Sequence, residues 1–163
     1  MGELTHTDQN GKAAMVDVTD KEITERTAVA CGRITMSGTA LTALKENTLK
    51  KGDALSTAKI AGIMGAKKTA ELIPLCHPLM LTKISIDFEL DEKTNSVLCR
   101  CSAKLKGRTG VEMEALTGVN IALLTIYDMC KALDKNMVIS DIHLEEKKGG
   151  KSGEHYFKGN ATI

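Results

Sequence analysis

The sequence contains very few aromatic residues and no tryptophan. Only two tyrosines and two phenylalanines occur among its 163 residues, and aromatics amount to 2% of the chain. The core must therefore be built from Ile, Leu, Val, Met and Ala, which bury less area per residue than aromatic side chains do. This composition predicts that the chain buries further apolar surface by forming an oligomer.

Long apolar runs and an excess of either charge are also absent. No segment approaches the roughly 20 apolar residues of a membrane-spanning helix, and the N-terminus lacks the apolar stretch of a signal peptide. The net charge is +1, whereas nucleic-acid-binding domains are typically strongly basic. We therefore expect a cytoplasmic protein that binds neither membranes nor nucleic acids.

Disulfide and zinc-binding patterns are missing as well. The five cysteines are an odd number, and no C-x2-C pair of the kind that holds zinc occurs. The pattern favours buried free thiols. A metal or redox centre built from Cys76, His77, Cys99 and Cys101 is the alternative that the composition leaves open.

What the sequence does contain is a regular succession of strand and helix patterns. Their order, β-α-β-β-α-β, predicts an α+β fold, a ferredoxin-like sandwich in which helices pack on one face of an antiparallel sheet. In this interpretation residues 1–163 form a single domain, with an N-terminal arm at 1–20 and a flexible C-terminal tail at 147–163. The strands are expected at 26–36, 82–90, 97–106 and 137–146, with alternating apolar residues in 82–90 and a hairpin from there to 97–106. The helices are expected at 39–46, 54–72 and 111–134. Asp53 is the expected N-cap of the second helix, and Gly62 and Gly65 indicate a close contact with another element. The last helix carries an apolar stripe from Ala115 to Leu133.

Two places carry side chains suited to acid–base chemistry. His77 lies between the only two prolines, Pro74 and Pro78, and a histidine titrates near neutral pH. Asp128 and Lys131 are three residues apart on the last helix, so they share one flank, where a carboxylate can orient an ammonium group. The structural alternatives are a turn histidine and an ordinary surface ion pair.

Two further segments have a structural and a functional interpretation. Thr109 and Glu112 have the T-x-x-E spacing of a helix capping box, which leaves Glu114 unexplained. The segment Lys147–Gly153 is rich in Lys and Gly but lacks the spacing of a phosphate-binding P-loop. It is either a solvated tail or an arm that folds over a polyphosphate.

Several segments together resemble the molybdenum cofactor biosynthesis protein C family. The most specific strings are LIPLCHPLML at Leu72–Leu81 and TGVEMEALT at Thr109–Thr117, followed by LLTIYDMCKA at Leu123–Ala132 and GGKSG at Gly149–Gly153. With shorter matches that begin at Leu4, the resemblance covers residues 4–153 in one order.

The resemblance implies a reaction that composition and spacing do not reveal. Members of this family are lyases that convert 3′,8-cyclo-7,8-dihydroguanosine 5′-triphosphate to cyclic pyranopterin monophosphate and pyrophosphate. By resemblance, no cofactor is required, although Mg²⁺ could accompany the substrate triphosphate. The main alternative is a non-catalytic module of the same fold that binds a nucleotide for regulation.

The resemblance also assigns residues and an assembly. It implies a homo-hexamer, a trimer of dimers, with active sites at the dimer interface. It makes Asp128 the catalytic acid/base and completes the centre with Lys131, Lys51 and His77. Substrate binding is expected of a wider set: Leu75, Cys76, His77, Glu112, Met113, Glu114, Asp17, Arg26 and Lys147.

Overall fold

The computed structural model describes residues 10–159, so the first nine residues of the expected arm and the last four of the expected tail lie outside it. Within that range the chain is an α+β protein with five strands and four helices. The strands are β1 (Thr24–Thr35), β2 (Lys83–Asp91), β3 (Ser96–Gly107), β4 (Val138–Lys148) and β5 (His155–Tyr156). The helices are α1 (Gly38–Lys45), α2 (Ala54–Lys67), α3 (Thr69–Leu72) and α4 (Glu112–Cys130).

All five strands form one antiparallel sheet in the order β2-β3-β1-β4-β5. The expected β2–β3 hairpin is confirmed, with Asp91 and Ser96 as the last pair before the turn. The Asp91 carboxylate accepts hydrogen bonds from the backbone of Lys93 and the hydroxyl of Thr94. This side-chain bonding favours the turn over continued strand pairing.

One face of the sheet packs against the helices. Helix α4 contacts β1, β3 and β4, and α2 contacts β2. The alternation expected in β2 is confirmed, because Ile86 is fully buried while Asp87 is exposed. The apolar stripe of α4 is buried in the same core, with Ala115, Val119, Ala122, Leu123, Ile126 and Cys130 all at 0% exposure.

Helices α2 and α4 cross closely at Gly62. A Cβ atom at this position would lie 2.8 Å from the carbonyl oxygen of Gly118 and 2.2 Å from Cδ1 of Ile86. A Cβ atom at Gly65 would lie 2.7 Å from Cγ1 of Ile121. The two glycines therefore lower helix propensity but allow the helices to approach, as their spacing in the sequence predicted.

The helix expected at 54–72 is interrupted at Lys68. The buried hydroxyl of Thr69 donates to the carbonyl oxygen of Ala66, which ends α2 and leaves α3 as a separate turn. Ile73 is extended, as expected for a residue before proline. At the N-terminal end of α2, the cap expected at Asp53 is confirmed. Its carboxylate accepts a hydrogen bond from the backbone N of Ser56 at 2.9 Å.

Two C-terminal boundaries differ from the expectation. Helix α4 ends at Cys130 rather than 134, because the Asp134 carboxylate accepts hydrogen bonds from Ser37 N and Asn136 N and draws the chain away. Strand β4 extends to Lys148, so the tail begins two residues later than expected. Part of that tail, β5, pairs with β4.

All five cysteines are free, and every one except half-buried Cys76 is buried. Burial raises the pKa of the Cys31 thiol to about 12, so this group is a neutral core side chain. Residues 10–159 contain no cluster of three His, Cys, Asp or Glu side chains placed to hold a metal ion. Within the same range, no helix is long and apolar enough to span a bilayer.

Candidate active site

The first group of candidate residues meets at the C-terminal end of α4. Lys51, in the turn before α2, places Nζ 2.7 Å from Oδ2 of Asp128. Lys131 follows the last residue of α4 and places its Nζ 2.8 Å from Oδ1 of the same carboxylate. We call these three residues the lysine–aspartate cluster. Each side chain is about half exposed, so the cluster is open to a ligand.

The two lysines determine the charge state of this cluster. Hydrogen bonds from Lys131 and then Lys51 lower the pKa of Asp128 to about 2. In return, the Asp128 carboxylate raises the pKa of Lys131. At neutral pH the carboxylate is therefore ionised and the cluster carries two ammonium groups for one negative charge. Its net positive charge favours an anionic ligand.

The second group lies at the N-terminal end of α4. The Glu112 carboxylate forms an ion pair with Lys147 at the end of β4, and both side chains are mostly buried. Glu114 is 4% exposed. Burial raises the pKa of Glu114 to about 7, and the charge of Glu112 adds to the effect. Burial and the nearby charge of Glu114 also raise the pKa of Cys76.

Arg26 extends this second group along β1. Ala28, two residues after Arg26 on β1, pairs with Lys147 on β4. Alternate residues of a strand lie on the same face of a sheet, so Arg26 and Lys147 share one face. Arg26 is 9% exposed, and its Nε donates to the carbonyl oxygen of Gly107 at 2.9 Å. No ion pair within residues 10–159 involves its guanidinium. A largely buried cation of this kind favours an anion as its partner. We call Cys76, Glu112, Glu114, Lys147 and Arg26 the helix-start cluster.

A glycine turn covers Arg26. Gly150 has φ +83°, and a Cβ atom there would lie 2.1 Å from a guanidinium nitrogen of Arg26. Glycine is therefore required both by backbone conformation and by space. This contact between Gly150 and Arg26 was not predicted from the sequence, although a Gly-Gly pair directly after a strand is a signal of a special turn.

His77 is placed near Asp17 rather than in a hydrogen bond to either cluster. The Asp17 carboxylate accepts from the backbone N and the hydroxyl of Thr19, which lowers its pKa, and the charge of His77 contributes a smaller part. His77 and Leu75 are half-buried in the proline-bounded loop, and Met113 is 38% exposed at the start of α4.

The capping box expected from Thr109 and Glu112 is wrong. The residue before α4 is Val111, and no side chain caps the helix there. The Thr109 hydroxyl instead contacts the carbonyl oxygen of Gly110. Glu112 is directed to Lys147, because a buried carboxylate gains more from an ammonium partner than from a backbone N–H.

The two clusters are separated by the length of α4. Asp128 follows Glu114 by fourteen residues on one helix, which corresponds to about 21 Å at 1.5 Å per residue. Within residues 10–159, no hydrogen bond or ion pair joins the clusters. Two open clefts of about 530 and 340 Å³ lie elsewhere, beside α1 and on the sheet around Cys31 and Arg100.

This fold and these clusters define an α+β protein with cationic and carboxylate side chains grouped at the two ends of α4, an arrangement suited to an anionic ligand. A sequence model of the MoaC family matches residues 15–150, which is most of the chain. The chain therefore belongs to the MoaC family.

Individual relatives match over nearly their whole length. A protein of Clostridium perfringens (strain SM101 / Type A) named cyclic pyranopterin monophosphate synthase is 55% identical over 155 residues, which cover 95% of this chain and 98% of the relative. Proteins with the same name from Parvibaculum lavamentivorans and Clostridium botulinum are 53% and 57% identical. These alignments cover 96% and 93% of this chain and 98% and 96% of the two relatives.

Proposed function

We propose that this chain is a cyclic pyranopterin monophosphate synthase of molybdenum cofactor biosynthesis. It converts 3′,8-cyclo-7,8-dihydroguanosine 5′-triphosphate to cyclic pyranopterin monophosphate and releases pyrophosphate, which makes it a lyase. The observation that carries the proposal is the lysine–aspartate cluster, in which Lys51 and Lys131 are held on the two oxygens of Asp128. Relatives with more than half of their residues identical bear this name.

The lysine–aspartate cluster supplies charge and protons to the reaction. Closing the cyclic phosphate forms one bond from a hydroxyl oxygen to the α-phosphorus and breaks the bond to the leaving pyrophosphate. The hydroxyl proton must be accepted, and the negative charge on the leaving group must be stabilised. Two ammonium groups fit the second task, and as proton donors they can also serve the rearrangement of the ring. Asp128, as the proposed catalytic acid/base, accepts the hydroxyl proton, and its ionised carboxylate orients both lysines.

The helix-start cluster binds the substrate in this proposal. Arg26 and Lys147 provide cationic groups for the phosphates, and the buried guanidinium of Arg26 lacks an ion-pair partner until the substrate arrives. Glu114, with a pKa of about 7, holds or releases a proton near neutral pH. Leu75, Cys76, Met113, Glu112 and Asp17 complete the binding surface, and His77 joins the catalytic centre.

A complete site needs two copies of the chain. Catalytic groups act within hydrogen-bond reach of the reacting atoms, about 2.6–3.2 Å, whereas the two clusters are about 21 Å apart along α4. In a dimer, the helix-start cluster of one copy can lie beside the lysine–aspartate cluster of the other. The two clusters of a single chain then need not be close together. This supports a homo-hexamer, a trimer of dimers, with sites at the dimer interface.

The proposal also covers the fold, the cellular compartment and the cofactor requirement. The strand order β2-β3-β1-β4, with α2 and α4 on one face, supports a ferredoxin-like sandwich. Residues 1–163 are proposed to form one catalytic domain that works in the cytoplasm. We propose acid–base catalysis without a required cofactor, with Mg²⁺ entering only on the substrate triphosphate.

The direct test supplies the cyclised GTP intermediate to the purified protein and follows pyrophosphate and the pterin product together. We expect equal amounts of the two products, with and without EDTA. Tight binding of the intermediate without release of pyrophosphate would instead identify the regulatory nucleotide-binding module. Loss of activity in EDTA with recovery on addition of Mg²⁺ would show that the metal is required.

A further inference from the structure

Met80 is the most exposed large apolar side chain in the part of the chain described here. Its exposure is 91%, and that of the next apolar side chain is 61%. Exposing a whole methionine side chain to water is unfavourable by the transfer free energy of its apolar surface. A single exposed apolar residue is ordinary in a protein surface, so the setting of Met80 decides whether it has a role.

The loop around Met80 is firmly held. Its neighbours Leu79 and Leu81 both pack against the hydrophobic core, and the backbone of Thr82 donates to the carbonyl oxygen of Lys104 at 2.9 Å. Pro78 restricts the chain on the other side. Met80 therefore projects into solvent from an anchored segment.

The same loop carries candidate site residues. His77 precedes Met80 by three residues, and Cys76 lies beside Glu114 of the helix-start cluster. Because both residues belong to one anchored loop, a surface that binds Met80 also fixes the position of His77. In the two-copy site of the proposed function, that surface belongs to the chain whose lysine–aspartate cluster is being completed.

The lysine–aspartate cluster has exposed apolar side chains around it. Leu124 lies one helical turn before Asp128 on the same flank of α4 and is 56% exposed. Leu133, two residues after Lys131, is 49% exposed. The exposed leucines can contact Met80 of a second copy. The lysine–aspartate cluster beside them can then contact His77 of the same loop.

We propose that Met80 is an interface anchor, which packs against Leu124 and Leu133 of a second copy and so positions His77 at that copy's lysine–aspartate cluster. This inference rests on the two-copy site of the proposed function. Met80 acts as a positioning residue and does not touch the reacting atoms. A flexible, polarisable methionine adapts well to a surface that forms only on association.

The test compares Met80→Asp with Met80→Leu. Met80 is exposed in the single chain, so both variants should fold, which circular dichroism checks. We expect Met80→Asp to weaken association by about 10-fold or more, as expected for losing one buried apolar anchor. Its specific activity should fall on dilution and recover at high protein concentration. Met80→Leu, which keeps size and apolarity, should retain native mass and activity at every concentration.

A second measurement locates the contact. A chain with Met80→Cys and Leu124→Cys in a Cys76→Ser background, which removes the one free thiol that is not fully buried, should form covalent dimers when treated with a short bismaleimide. In the same background, neither single variant nor the matched pair Met80→Cys with Met64→Cys, a 54% exposed position on α2, should form them. Equal masses for the native and Met80→Asp proteins, or no selective crosslink, would overturn the inference. Pyrophosphate release by the native chain is measured separately, so failure of the proposed function remains distinguishable.

Discussion

Lys51 is bound to Asp128 by two hydrogen bonds. Its Nζ donates to the carboxylate Oδ2 at 2.7 Å and to the main-chain carbonyl oxygen at 2.9 Å. The main-chain contact holds the lysine at the end of α4 even when the carboxylate is changed. Substitutions of Asp128 therefore probe the carboxylate itself rather than the position of Lys51.

Loss of the carboxylate should stop catalysis without unfolding the protein. We expect Asp128→Ala to reduce pyrophosphate release by about 10²–10⁴-fold, the usual range for an acid–base group. Lys51→Ala and Lys131→Ala should fall in the same range. Because all three side chains are half exposed, thermal melting should change little. Lys135→Ala, an exposed lysine four residues after Lys131, is the control and should retain activity. Normal turnover in Asp128→Ala would reject the assignment.

Two inactive variants should complement each other if the site spans two copies. Asp128→Ala removes the lysine–aspartate cluster, and Glu114→Ala removes part of the helix-start cluster. In a mixed dimer, one of the two sites contains both changes and the other contains neither, so co-expression should restore a fraction of native activity. Co-expression of Asp128→Ala with Lys131→Ala is the control, because both changes lie in one cluster and no intact site forms. Equal activity in the two mixtures would contradict a shared site.

Glu114 should make stability depend on pH. Its pKa is about 7 in the folded protein against 4.5 when free, so the folded state retains a proton that the unfolded state has lost. The unfolding free energy should therefore decrease as pH rises from about 4.5 to about 7 and then level off. The full decrease is about 3 kcal/mol, from 1.36 kcal/mol per pKa unit.

Glu114→Gln removes the titrating group and should remove this decrease. Denaturant midpoints at pH 5 and pH 8, at one fixed protein concentration because association also stabilises, provide the measurement. The variant should be less sensitive to pH than the native chain. The same pH dependence in both proteins would show that Glu114 is ionised in the folded state throughout this range.

The crossing of α2 and α4 should not tolerate a methyl group. Gly62→Ala places Cβ against the backbone of Gly118 and against Ile86, so we expect destabilisation of about 1–3 kcal/mol despite the better helix propensity of alanine. Gly38→Ala is the matched control, because the nearest atom to a Cβ there is Asn95 Oδ1 at 3.6 Å. Denaturant unfolding of the two variants should separate them clearly. Similar stabilities would contradict the close crossing.

The order of strands and helices was predictable because it depends on local periodicity. The alternation in β2 and the apolar stripe of α4 follow directly from spacing, and both are confirmed except at Leu133, which lies beyond the end of α4 and is 49% exposed. Boundaries set by side-chain hydrogen bonds over long distances were not predictable. The end of α4 depends on Asp134 bonding to Ser37, which lies nearly a hundred residues earlier and has no local signal.

The candidate site was predictable only where its members share a helix. Asp128 and Lys131 follow from i,i+3 spacing, and their pairing is confirmed. Lys51 entered by family resemblance, because nothing near it in sequence indicates a partner 77 residues away. The Glu112–Lys147 pair was missed for the same reason. The local sequence pattern instead predicted that Glu112 forms a capping box with Thr109, which was wrong.

Helix α4 also constrains how this chain can change in length. Each residue inserted between Glu114 and Asp128 would rotate one cluster against the other by about 100° and move it by about 1.5 Å. If the proposed two-copy site is right, a single insertion would therefore misalign the two clusters in every copy, even though the added residue touches no substrate. Insertions in the turn after β2 would leave both clusters in place. The length of α4 therefore fixes the separation of the two clusters, and we expect changes in chain length to be tolerated better in the loops than in this helix.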